Sequence, residues 1–296
     1  MTTTVARSTP APRLRLDPAI LLWAVAGACW AATFALIVVG GTGVAHHDGV
    51  LEGGTSPWAL RIAVFMAVWT VMLGAMMLPT LVPLARLFAV VSARAAHPRA
   101  ARTGLYAGYL TTWVAVAPVA LAADSGVHLL VSAWPWLADR EGLVLGGALL
   151  LAGGFQFSRL KDACLTACRS PASFLWQHYR RGFRGAARLG VHAGLWCLGC
   201  CWALMLLMFA TGVGSLVWML GLTAVMVAEK TTRWGVRLVR PVGVALLLGG
   251  VVIGSSAVFS PAAPPCHHDC GSAAAAQSSS ASSAAVLAAP SVSTGR

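Results

Sequence analysis

The sequence predicts an all-α polytopic membrane protein, a bundle of about seven transmembrane helices, and three observations carry that prediction. Of the 296 residues, 58% are hydrophobic and only 10% charged, too little polar surface to cover a water-soluble globule. Apolar runs of roughly 15 to 22 residues recur, against the ~20 needed to cross a hydrocarbon core. The basic residues cluster in alternate connections between those runs, as the positive-inside rule requires.

In chain order the runs are Ala19 to Gly40, Ala59 to Leu81, Gly104 to Ala123, Gly142 to Phe157, Leu189 to Thr211, Gly214 to Ala228 and Pro241 to Ser260. The first is longer than the roughly 7 to 15 residues of a signal-peptide core and no Ala-x-Ala site follows, so it reads as a permanent span. Leu189 to Ala228 is split at Gly212-Val213-Gly214, because one helix of that length would be about twice bilayer thickness. Three segments follow: a cytoplasmic one at 1–18, a transmembrane helical domain at 19–260, and an Ala/Ser-rich tail at 261–296 whose composition predicts external disorder.

Of the 21 Lys and Arg residues, 18 lie before the first run or in the second, fourth and sixth connections; only Arg61, Arg140 and Arg296 lie elsewhere. The expected orientation is therefore a cytoplasmic N-terminus and an external C-terminus in the bacterial inner membrane. The formal charge of +12 needs no nucleic acid as partner, because anionic headgroups of the lipid bilayer satisfy basic loops.

The fifth run carries Cys197-x-x-Cys200-Cys201-Trp202-x-x-Met205-x-x-Met208. At ~100° per residue the three thiols fall on one helical face, and Met205 and Met208 continue it. These are soft ligands where lipid-like residues are expected, and they suit Cu(I). Taking about 1.5 Å per residue, Cys197 to Cys201 sit at the depth that Met72 and Met76 reach on the second run. Pro79, just beyond, can free a backbone carbonyl. Cys164 and Cys168, four apart in the fourth connection, would share a face with Gln156 and Leu160 if the fourth helix continued to Ser170-Pro171. Arg159, Lys161 and Arg169 are expected to favour their thiolates. Glu229-Lys230 closes the sixth run, and Glu229 reads as a partner of Lys230 at the interface. His192 is an ionisable group inside the fifth run and a functional candidate on that ground. In the tail, Cys266-His267-His268-Asp269-Cys270 suits capture of copper or zinc, while an oxidising exterior would equally join Cys266 to Cys270. His46-His47-Asp48 lies in the first external connection.

Several of these pieces resemble a bacterial family of predicted metal-binding integral membrane proteins, defined by a domain of unknown function. They are Trp69-x-x-Met72-x-x-Ala75-Met76-Met77-Leu78-Pro79, Leu160-Lys161-x-x-Cys164-x-x-x-Cys168-Arg169-x-Pro171, Cys197-Leu198-Gly199-Cys200-Cys201-Trp202-x-Leu204-Met205 and Glu229-Lys230. Gly-Cys-Cys-Trp is the most specific of them. The resemblance implies an all-helical inner-membrane fold and a metal site; it does not reach the tail.

The sequence thus points to binding of a soft metal, Cu(I) before zinc because thioethers are poor zinc ligands, for transfer, insertion or homeostasis. Cys197, Cys200 and Cys201 are the expected core ligands, with Met72, Met76 and Met205 in support. Cys164 and Cys168 are the expected hand-off pair, and Cys266, His267, His268 and Cys270 the expected external set. A metallochaperone or a larger membrane complex is the implied partner class. No catalytic set can be assembled, which favours a non-enzymatic role. The rivals are a thiol-disulfide oxidoreductase using Cys197 and Cys200, and a structural subunit, for which Trp134-Pro135-Trp136 would be interface.

Overall fold

The computed structural model describes residues 17–45, 57–138, 140–210 and 215–259, and among them there is no strand. The helices are α1 (Pro18–Ala45), α2 (Trp58–Val91), α3 (Pro98–Ala133), the single-turn α4 (Pro135–Ala138), α5 (Glu141–Gln156), α6 (Arg159–Arg169), α7 (Pro171–His178), α8 (Gly182–Ala210), α9 (Leu216–Thr231) and α10 (Gly235–Phe259). Among the described residues each apolar run of the sequence therefore corresponds to one helix, to within a residue at its ends. Five are long and apolar enough to cross a membrane, or six if α5 and α6, bent by 64° at their junction, count as one broken span. At 16 residues α9 is about 24 Å long, just short of the ~30 Å hydrocarbon core.

Helix α2 continues past its expected end at Leu81 to Val91, through Pro79 and Pro83. Pro79 has no N–H to donate to the carbonyl of Ala75, and the Trp30 indole of α1 takes that place with a 3.1 Å hydrogen bond. Burial of that one exposed acceptor also ties α1 to α2. On the other side, α3 and α8 pack almost backbone to backbone. A Cβ at Gly108 would run into the carbonyl of Ala187, and one at Gly190 into that of Leu105. Small residues at such crossings are how apolar helices approach closely where no hydrophobic driving force separates protein from lipid. Helices α5 and α10 use the same device: Gly146 and Gly153 face α10 and Gly250 faces α5, while Gly147 and Gly154 meet open space.

The stretch expected to prolong the fourth span instead breaks at Phe157-Ser158. Ser158 caps α6, its hydroxyl accepting from the Lys161 N–H at 3.1 Å. Turned by 64°, α6 presents Lys161, Cys164 and Leu165 inward, with Cys168 half-buried one turn further. The face expected to join Gln156, Leu160, Cys164 and Cys168 is thereby split, and Leu160 is exposed. Ser170-Pro171 ends α6 as expected, and Pro171 opens α7 at the position where its missing N–H costs nothing. Gly182, at φ 84°, makes the turn into α8 that an L side chain would resist.

Candidate metal-handling site

The centre of the site is Cys197, fully buried on α8. Its sulfur accepts a 2.9 Å hydrogen bond from the Lys230 ammonium, lies 3.0 Å from the Tyr109 hydroxyl and 3.8 Å from the Thr80 hydroxyl. Tyr109 also reaches the Met77 carbonyl at 3.3 Å. One thiol thus joins α2, α3, α8 and α9. Cys200 and Cys201 are buried a turn further along α8, and each donates its S–H back to the Cys197 carbonyl, at 3.1 and 2.8 Å. The Cys168 sulfur of α6 stands 4.0 Å from that of Cys200.

Cys164 sits against Gly199, where an added Cβ would fall 2.7 Å from its sulfur. Contrary to the sequence expectation, neither α6 thiol is shifted toward thiolate. Burial pushes Cys164 up, with Cys200 adding to it, and for Cys168 the hydrogen bond with Cys200 does so first and burial second. Two of the three basic residues expected to act on them are turned elsewhere, and the third, Arg159, is exposed. Lys161 forms a fully buried 2.6 Å ion pair with Glu229, and Arg169 donates to the Glu229 carbonyl at 2.5 Å. Glu229, whose other oxygen accepts from Gln156 at 3.1 Å, is therefore the partner of Lys161 and not of Lys230. This ion pair docks α6 onto the end of α9 and sets where Lys230 projects.

Two contacts fix the register of α2 against α8: Thr80 to Cys197 near one end, and the stacked rings of Trp69 and Phe209, 5.8 Å apart, near the other. In this antiparallel arrangement Met76 lies at the level of Cys201 and Met72 at that of Met205. All three methionines are buried in the same apolar core as the thiols. Cys29 lies apart, its sulfur against Gly74. His192 is exposed, its Nδ1 2.8 Å from the Arg188 carbonyl. Cys266, His267, His268 and Cys270, like His46 and His47, lie outside the described residues.

As the side chains stand, no group of three or more His, Cys, Asp or Glu among the described residues forms a ready-made metal centre. The reason is visible in the hydrogen bonds: an ammonium occupies the Cys197 sulfur, and Cys200 and Cys201 are turned to a carbonyl. What the arrangement offers is a set of soft donors held near one another by other partners. Beside it lies a cavity of about 40 Å³, lined by Thr80, Leu84, Tyr109, Cys168, Phe174, Trp196, Cys197 and Lys230, with room for an ion or a few waters.

Sequence reasoning alone found the thiols but missed Lys230, Tyr109 and Thr80 as their partners. One signal was readable: Lys161, Cys164, Leu165 and Cys168 follow the i, i+3, i+4, i+7 spacing of an inward helical stripe. Tyr109 and Thr80 carry no such signal, because only the antiparallel packing brings them to Cys197.

A family model described as PpoB2, copper chaperone, matches residues 66–253, which include every thiol and thioether of this site. No curated protein and no solved structure matches the chain.

Proposed function

The chain belongs to the PpoB2 copper-chaperone family, and from that premise we propose that it is a multi-pass inner-membrane protein that accepts Cu(I) as cargo at Cys197, Cys200, Cys201 and Cys168 and passes it on. The observation that carries this reading is the convergence of Cys168 from α6 on the α8 thiols, at 4.0 Å from Cys200, beside a cavity that reaches Cys197. Thiol sulfur selects Cu(I), and each thiol that binds gives up its proton. Copper takes the sulfur lone pair now bonded to the Lys230 ammonium, so loading requires Lys230 to release Cys197 while staying beside it, and Cys200 and Cys201 to release the Cys197 carbonyl. Met72, Met76 and Met205, at the levels of Cys201 and of one another, are the supporting thioethers. Cys164, packed on Gly199, is closer to a structural residue than to a ligand, so Cys168 alone is the hand-off thiol. Zinc is the disfavoured metal, since the thioethers add little for it.

Seven spans, a cytoplasmic N-terminus and an external tail are part of the same proposal, supported by the helices and by the alternation of the basic loops. In it α6 and α7 lie at the cytoplasmic face. The tail set Cys266, His267, His268 and Cys270 serves as an external copper ligand cluster, and a soluble metallochaperone or a copper-requiring membrane complex is the partner. Loading without chemical turnover fits a carrier and not an enzyme.

The test is Cu(I) stoichiometry and affinity on anaerobically purified, untagged protein by competition with a chromogenic chelator. C197S, C200S and C201S singly are expected to weaken binding tenfold or more, and the triple variant to lose the equivalent held in the membrane. M72L/M76L keeps volume and hydrophobicity and is expected to weaken it less, by roughly 3- to 10-fold. Unchanged binding in the triple variant would falsify the reading.

One observation favours a second reading. Cys168 and Cys200 at 4.0 Å are near enough to close into a disulfide by small side-chain movement, so a membrane thiol-disulfide oxidoreductase would use that pair, not Cys197 with Cys200. Alkylation of thiols in living cells separates the two: a Cys168–Cys200 disulfide that cycles with growth conditions, indifferent to M72L/M76L, supports the oxidoreductase.

A further inference from the structure

His178, the last residue of α7, and His192 of α8 come from different helices yet bring their rings to 5.0 Å between centroids, tilted by 41°. Each Nδ1 lies against a backbone carbonyl four residues earlier, His178 at 3.0 Å from Phe174 and His192 at 2.8 Å from Arg188. A carbonyl oxygen only accepts, so in the neutral imidazoles the proton is on Nδ1 and the lone pair is on Nε2. A metal-binding histidine has the same arrangement: its remote N–H held by a backbone acceptor, its free nitrogen presented outward. The His178 ring is further held by stacking on Phe174 at 4.7 Å.

The position matters as much as the tautomer. Phe174, against which His178 stacks, lines the cavity that reaches Cys197, and so does Ala193, the residue after His192. From His192 to Cys197 is five residues of α8, about 7.5 Å of rise. The geometry points to a second copper site: His178 and His192 together hold one Cu(I) through their Nε2 atoms, next to residues that line the cavity reaching Cys197. Two imidazoles suffice for this ion, which accepts linear coordination and for which imidazole is a suitable ligand. Metal–imidazole bonds are about 2 Å, so one ion spans nitrogens up to about 4 Å apart, and rings with centroids 5.0 Å apart would meet that span by a small tilt that keeps each Nδ1 on its carbonyl. Two nitrogens bind more weakly than several sulfurs. The imidazole pair is thus suited to receive an ion that the thiols then take.

This inference rests on the copper reading above, and the experiment keeps the two apart. The full-length chain is used, with the other six histidines and the cysteines beyond residue 260 replaced (H46Q, H47Q, H97Q, H128Q, H267Q, H268Q, C266S, C270S), and is titrated anaerobically with Cu(I) alone. It is expected to bind one more equivalent than the same chain carrying H178Q or H192Q, with the ultraviolet absorption of thiol-bound copper equal in all three. In the chain with His178 and His192 intact, the 15N resonances of both Nε2 atoms are expected to shift on adding Cu(I), a measurement that needs no variant at either position. Equal stoichiometry in all three proteins, loss of the equivalent in only one histidine variant, or unmoved Nε2 resonances each overturn the shared site. Absence of the thiol-to-copper absorption in every protein overturns the copper reading instead.

Discussion

Lys230 is the residue on which the chemistry of the thiols turns. Its ammonium is buried and held 2.9 Å from the sulfur of Cys197, so any metal that arrives there meets a positive charge already in place. Two unit charges ~4 Å apart repel by about 4 kcal/mol at an effective dielectric of ~20, and a divalent ion meets about twice that. In the proposed copper site Lys230 would therefore discriminate by charge, tolerating Cu(I) better than Zn(II), in addition to the softness of the sulfurs. K230M, which keeps the length and removes the charge, is expected to raise Zn(II) affinity more than Cu(I) affinity. The ratio of the two is expected to move by one to three orders of magnitude, on the order of the ~4 kcal/mol difference at its upper end. Competition titrations with both metals on K230M and the parent chain check this; an unchanged ratio removes Lys230 from selectivity.

At the scale of elements, the site depends on how α6 is seated. The 2.6 Å Lys161–Glu229 pair ties α6 to α9, and Cys164 touches α8 at Gly199, the one place there without a side chain to hold it off. G199A would put a Cβ 2.7 Å from the Cys164 sulfur, so Cys164 must turn to another rotamer within the core or α6 must tilt away; the expected response of this buried residue is tilt. Cys168 then leaves Cys200. The expected outcome is a fall of roughly tenfold in the rate of oxidative Cys168–Cys200 cross-linking, restored in G199A/C164A because the second substitution removes the obstructing sulfur. Failure of C164A to restore it would mean that α6 is positioned by something else. This element also shows where sequence reasoning stops. The apolar runs and the thiol face of α8 were legible because helix periodicity is local. The break at Phe157-Ser158 was hidden by a spacing of Gln156, Leu160, Cys164 and Cys168 that also fits one straight helix. Ser158 as a cap was the readable counter-signal, with Asp162 in the first turn. The roles of Tyr109 and Thr80 were not legible at all, since they follow from which helices lie side by side.

Across the whole molecule, the position of the site relative to the helix ends gives it a side. Lys230 is the next-to-last residue of α9, and Cys168 is the next-to-last residue of α6, so both reach the thiols at the middle of α8 from the ends of their own helices. Those ends adjoin the connections holding Arg180, Arg181, Arg184, Arg233 and Arg237, which the positive-inside rule assigns to the cytoplasm. The cavity beside Cys197 has α6 and α7 residues, Cys168 and Phe174 among them, in its lining. On the proposed topology, copper would be exchanged from the cytoplasmic side and the segment from residue 261 would be external. Single-cysteine chains carrying only Cys168 or only Cys266 test the arrangement with a membrane-impermeant thiol reagent. Cys168 is expected to be protected in intact cells and labelled in inside-out vesicles, with Cys266 showing the reverse under reducing conditions. Preloading with Ag(I), a redox-inert mimic of Cu(I), of a chain that keeps Cys197, Cys200 and Cys201 is expected to slow labelling of Cys168 at least tenfold in the inverted vesicles. Labelling of Cys168 from outside the cell would invert the topology, and with it the direction from which the thiols receive their metal.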